Sequence, residues 1–339
     1  MLKTNVGKIV VAVATIALSG TSFIALADNA VQKSGDEQSK AAASNQPSQK
    51  GDQGPEVRFG SPSRTITSDE DQQSYDRTDG GIGGISVSGS RVFSARVANA
   101  AAPKPATTVL NLLPHTGSPM PVTRIYSIYW GPTFVSNYQT TVNSFLGAIG
   151  SPSNGLNGLT TQYFKSGSNS TSYINSNYTD LSTPPSSAPT TSSILAEVYK
   201  VIVTNNKLTI DPAGLYMVFT NNYPSRANYC AWHGAGSVNR SANFTVAYQP
   251  YLGGVAGCSP VGLSGFQTYS SVPGMDAVAN VASHEIYETI TDPFLNAWFD
   301  ANGAEIGDKC AWYSGYTKLG GTYSLQTEWS NSAKACASS

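Results

Sequence analysis

Pro273-Gly274-Met275-Asp276-Ala277-Val278-Ala279-Asn280-Val281-Ala282-Ser283-His284-Glu285-Ile286-Tyr287-Glu288-Thr289-Ile290-Thr291-Asp292-Pro293 is the stretch on which the fold reading turns. Pro273-Gly274 breaks the chain before it, Asp276 is a good N-cap, and no Gly or Pro interrupts the run from Ala277 until Asp292-Pro293 closes it. The spacing predicts one helix of about four turns. Ala279, Ala282, Ile286 and Ile290 would form its core stripe, with Ala277, Val281, His284 and Glu288 on an adjacent face. His284 and Glu288 lie one turn apart and can converge on a single ion. Glu285 beside them can take a proton from a bound water.

The pattern is HExxE, an HExxH-type zinc helix in which a carboxylate replaces the second histidine. Zinc is the first candidate from the helix pattern, but the change adds oxygen to the donor set, which weakens the inference to zinc and leaves calcium or manganese open. Downstream, Thr291-Asp292-Pro293-Phe294-Leu295-Asn296-Ala297-Trp298-Phe299-Asp300 leads through the turn Asn302-Gly303 to Glu305-Ile306-Gly307-Asp308-Lys309-Cys310. The third ligand is Glu305 or Asp308, by the logic of a late acidic ligand, or His233 as a second nitrogen donor. Against these stands an i,i+4 hydrogen-bonded pair of His284 and Glu288 that binds no metal.

Working outward, Thr123-Arg124-Ile125-Tyr126-Ser127-Ile128-Tyr129-Trp130 reads as a strand stopped by Gly131-Pro132. A helix follows with Ser136 as its cap and Tyr138, Val142, Phe145, Leu146 and Ile149 on its apolar side. Thr191 through Asn205 reads as a second helix, and Leu215-Thr220 and Phe244-Tyr248 as buried strands with a loop between them. The alternation predicts an α+β class: a single mixed α/β globular domain around the central HExxE helix, whose resemblance to the HExxH helix of zinc peptidases implies a zincin-like fold.

The N-terminal third has a different character. Lys3 and Lys8 precede an apolar stretch from Ile9 to Leu26, and Ala25-Leu26-Ala27 supplies small residues for cleavage, so residues 1–27 read as a signal peptide. Residues 28–108, rich in Ser, Gln, Gly, Asp and Ala, read as a low-complexity spacer or propeptide, within which Gly81-Val87 and Val92-Phe93 have the composition to add a strand. The domain then runs over 109–339. A net charge of -1 with 12% charged residues leaves no electrostatic footprint for nucleic acid or an anionic membrane. Four cysteines, Cys230, Cys258, Cys310 and Cys336, contain no CxxC pair; of three pairings, Cys230 with Cys258 and Cys310 with Cys336 is the expected one in an oxidising compartment.

Ile125-Tyr126-Ser127-Ile128-Tyr129-Trp130-Gly131, Cys230-Ala231-Trp232-His233-Gly234, Gly274-Met275-Asp276 and Thr291-Asp292-Pro293-Phe294 together resemble the phosphate-induced protein 1, or EXORDIUM, family of secreted proteins. The matching pieces span roughly residues 122–312. The resemblance implies an extracellular or cell-wall location; His284, Glu285 and Glu288 depart from the plant pattern and resemble the bacterial branch. Two functions are thus expected. One is a secreted metal-dependent hydrolase, acting on a peptide or a cell-wall polymer, with Glu285 as general base and ligands drawn from His284, Glu288, Glu305, Asp308 and His233. The other is a non-catalytic extracellular protein with a structural metal or none.

Overall fold

Two strands of β-branched and aromatic residues fix the middle of the sheet, because both of their faces must be covered. The computed structural model describes residues 110–238, 242–312 and 315–339, together with the backbone of Ile85–Ser94. All of these lie in one unit, Gln53–Ser339. The signal-peptide reading and most of the spacer fall outside the described residues. The described elements are β1 (Ile85–Ser94), β2 (Leu113–Pro114), β3 (Val122–Trp130), α1 (Tyr138–Ile149), α2 (Gly155–Thr160), β4 (Ser170–Asp180), α3 (Thr191–Tyr199), β5 (Gly214–Thr220), β6 (Tyr229–Val238), β7 (Ala242–Gln249), α4 (Met275–Thr291), β8 (Trp298–Phe299), β9 (Tyr316–Leu319), β10 (Tyr323–Gln326), β11 (Glu328–Ser330) and β12 (Ala335–Ala337).

Six strands make a mixed sheet in the order β1-β6-β7-β5-β3-β4. β4, β3, β5 and β7 run parallel, while β6 is antiparallel to both β7 and β1. Alternation along the strands divides the core in two. Ile125, Tyr129, Leu215, Met217, Phe219, Ala231 and Ala247 face α1, α2 and α4, whereas Ile128, Trp130, Tyr216, Val218, Trp232, Val246 and Tyr248 pack against α3 on the opposite side. The fold is mixed α/β, with helices on both faces of the sheet. Among the described residues no helix is long and apolar enough to cross a membrane.

Several local expectations are corrected. Residues 229–238, expected as loop, form β6: Cys230, Trp232 and their neighbours suit a buried strand, and the Gly residues that suggested a loop, Gly234 and Gly236, are accommodated within the ladder. Asp276 does not cap α4. The N-cap is Gly274 in the left-handed region at φ 76°, and the Asp276 carboxylate instead accepts the Tyr269 and Ser270 amides at 3.1 and 3.3 Å. Asn137 at φ 63°, not Ser136, stands before α1. The helix expected through Asn205 is α-helical only to Tyr199 and then widens into a π-helical turn, Lys200–Asn205. Strand β1 comes from the apolar patch inside the spacer and lies at the sheet edge, with Arg91 opposite His233.

The largest departure concerns α4 itself. All 17 of its residues are buried, so it has no solvent face and is enclosed on every side. Ile286 and Ile290 pack in the core beside Val278 and Val281. Its polar residues find partners around the circumference: Asn280 accepts the Gln326 amide at 2.8 Å, and the Tyr287 hydroxyl accepts from Asn154 at 2.7 Å. Gly274 is the point where no side chain fits, since a Cβ there would lie 2.6 Å from the Gly253 nitrogen in a backbone conformation already unfavourable for other residues. Gly274→Ala is therefore expected to lower the unfolding free energy by about 1–3 kcal/mol, read from the urea midpoint at an unchanged m-value.

Candidate metal centre

His233 and α4 meet because strand alternation sends Ala231 and His233 to the same side of β6, and α4 lies against that side. The His233 Nδ1 atom is 3.0 Å from Glu285 Oε2 and 3.4 Å from Glu288 Oε2. One turn earlier on the helix, His284 Nε2 is 2.9 Å from Glu288 Oε1. The loop after β8 completes the group: Asp308 Oδ1 is 3.8 Å from His284 Nε2, and Glu305 Oε1 is 3.7 Å from His233 Nε2. Both imidazoles and the carboxylates of Glu285, Glu288 and Glu305 are buried, and Asp308 is only slightly exposed.

Two groups of these side chains can hold a metal ion. They are His233, Glu285 and Glu288, and His284, Glu288 and Asp308. Donors that share an ion at about 2.0–2.2 Å sit about 3–3.5 Å from one another, so the observed separations are close to those of a ligand set. Of the three candidates for a third ligand, Asp308 approaches the His284–Glu288 pair. His233 approaches Glu288 from the other side, and Glu305 meets the far nitrogen of His233. The third histidine, His115, stacks on Phe299 with ring centroids 3.5 Å apart and takes no part in the cluster.

The surroundings orient the ligands. The Asp308 amide donates to Glu288 Oε1 at 3.1 Å, and the Glu305 amide donates to Asp308 Oδ2 at 3.1 Å, so the acidic loop is tied to the helix and to itself. Gln326 Nε2 lies 3.2 Å from His284 Nδ1 and donates to the Gly307 carbonyl at 3.0 Å. Contacts of this kind set the ring angle and tautomer of a ligating histidine. Gly307 packs directly against the ring. Glu328, fully buried, lies within 3.5 Å of Gln326. Gln326, Glu328 and Gly307 were missed by the sequence reading. No motif marks them: Gln326 ends β10, Glu328 opens β11, and Gly307 lies in a loop.

The cluster attracts positive charge. Burial works against a charged His284, yet Glu288, Glu285 and Asp308 together outweigh it and raise the imidazole to about 10. Burial likewise opposes a charge on His233, and Glu305, Glu285 and Glu288 overcome it. For Glu285, burial is the larger influence and raises the carboxyl, as it does for Glu328. Glu288 goes the other way, because the two imidazoles outweigh its burial. Protons and a metal ion compete for the same nitrogens, so metal affinity should fall on acidification.

Cys230–Cys258 and Cys310–Cys336 are disulfides, the neighbour pairing expected from the sequence, and both fit an oxidising compartment. Compared with family models, with curated proteins and with solved structures, the chain matches none.

A Cβ added at Gly307 would lie 2.5 Å from His284 Nδ1. Gly307→Ala must therefore push the ring aside, and metal affinity measured by competition with a chromophoric chelator is expected to fall about 10–100-fold while the far-UV circular dichroism stays unchanged.

Proposed function

We propose that this chain is an extracellular metalloprotein whose cluster at the HExxE helix holds a divalent metal ion in a closed centre that braces the fold. The observation that carries this reading is the burial of two imidazoles and three carboxylates, with Asp308 at their edge, drawn from β6, α4 and the 305–308 loop. Taking that many ionisable groups out of water costs several kcal/mol per ion unless they are paired, and a bound cation compensates for them directly. Zinc suits the imidazole donors, and manganese or calcium suits the oxygen-rich remainder. Secretion is supported by the N-terminal sequence and the two disulfides. The EXORDIUM resemblance and a zincin-like descent belong to the same proposal, supported by the quoted sequence stretches and by the helix spacing.

Elemental analysis of the purified mature protein is the direct test. Bound metal in the wild type, reduced in His284→Ala, is expected, and removing it with a chelator should lower the melting temperature by roughly 10 °C. Metal-free wild type would overturn the reading.

A second reading, metal-assisted hydrolysis of a peptide or cell-wall polymer, is favoured by one observation. Glu285 follows a ligand-type histidine, and its Oε1 has no hydrogen bond among the described residues. That is the placement of a general base. This reading requires an open conformation, since Glu285 is 1% exposed. Under it, Glu285→Gln abolishes cleavage of a peptide library and retains metal; activity equal to that of wild type removes Glu285 as the base.

A further inference from the structure

Glu288 turns its two oxygens toward different histidines: Oε1 lies 2.9 Å from His284 Nε2, and Oε2 lies 3.4 Å from His233 Nδ1. The two ligand groups are therefore separate sets that share one carboxylate. We infer that the centre is dinuclear, with Glu288 bridging one divalent ion held by His233 and Glu285 and a second held by His284 and Asp308. This rests on the metal-centre reading above and extends it.

Charge points the same way. With the imidazoles neutral, as ligation requires, Glu285, Glu288, Glu305 and Asp308 can bring four negative charges into the cluster, with the buried carboxyl of Glu328 beside them. One dication leaves at least two of those four charges uncompensated in a low-dielectric interior, whereas a second offsets them. Carboxylate-bridged ions sit about 3.5–4 Å apart, a span the two oxygens of one side chain can serve. Glu285 Oε1 is buried with no hydrogen-bond partner among the described residues, which an ion bound at this carboxylate would account for. Glu305, 3.7 Å from His233 Nε2, then stands on the far side of that ring and adds negative charge there instead of ligating. In this assignment Glu285 is a ligand, which sets it apart from the base of the hydrolytic reading.

The test is a zinc titration of chelator-treated full-length secreted protein by calorimetry, with bound metal counted by elemental analysis. Two equivalents are expected in the wild type. His233→Ala and Glu285→Gln should each fall to one, as should His284→Ala and Asp308→Asn, while Glu288→Gln weakens both sites. A single equivalent in the wild type, lost entirely in His284→Ala, overturns the dinuclear assignment and leaves the metal-centre reading standing. Zero equivalents overturn both. Where a variant does not fold, manganese-loaded wild type decides: an exchange-coupled pair in its electron paramagnetic resonance spectrum supports the bridge, and an isolated-ion spectrum at saturation refutes it.

Discussion

The constraint on which the rest of the structure depends is the placement of a helix bearing His284, Glu285 and Glu288 in the interior, against a strand bearing His233. Charges of that density are stable away from water only when each finds an opposite charge or a hydrogen bond at close range. The surrounding architecture meets that demand. β6 presents one imidazole, α4 another, and the 305–308 loop turns its own amides onto carboxylates of the helix and of itself. Removing one member leaves its neighbours buried without compensation, so the cluster acts as a unit rather than as a set of independent pairs.

The covalent framework sits where that unit needs it. Cys230 is three residues before His233 on β6, and Cys310 is two residues after Asp308. Each disulfide restrains a segment that brings a cluster side chain from outside the helix, β6 to the turn at Cys258 and the acidic loop to β12. Such preorganisation would lower the ordering cost of binding an ion at the cluster. Gly307 belongs to the same design: the loop passes so close to the His284 ring that only a residue without a side chain fits.

Much of this was legible in the residues, and the failures have physical causes. Strands β3, β5 and β7 and the helix α4 follow from β-branched runs and from an uninterrupted helical stretch, both of which are local properties. Strand β6 reads as loop because Gly234 and Gly236 dilute its β-propensity, while half of the pairing that makes it a strand comes from β1, far back in the sequence. That error hid the reason His233 matters: only a strand fixes which face its ring occupies. The amphipathic reading of α4 failed similarly. Alanine and isoleucine at helical spacing show that one side is buried, but the polar face is buried as well, by residues far away in sequence such as Gln326, 46 positions on, and Asn154, 133 positions back.

Among the candidate ligands, the helix pair was readable because i,i+4 geometry is dictated by the backbone, whereas the choice among Glu305, Asp308 and His233 depends on a loop and a strand whose paths no short pattern encodes. The structure replaces that choice with a division of labour. Asp308 meets the His284 side of Glu288, His233 meets the other side, and Glu305 stands behind His233. A helix carboxylate in place of the second histidine of an HExxH pattern has a consequence that follows from its chemistry: an imidazole offers one lone pair to one ion, but a carboxylate has two oxygens and can serve two. The substitution that makes the sequence look like an imperfect zinc helix is the same feature that lets Glu288 face both histidines at once.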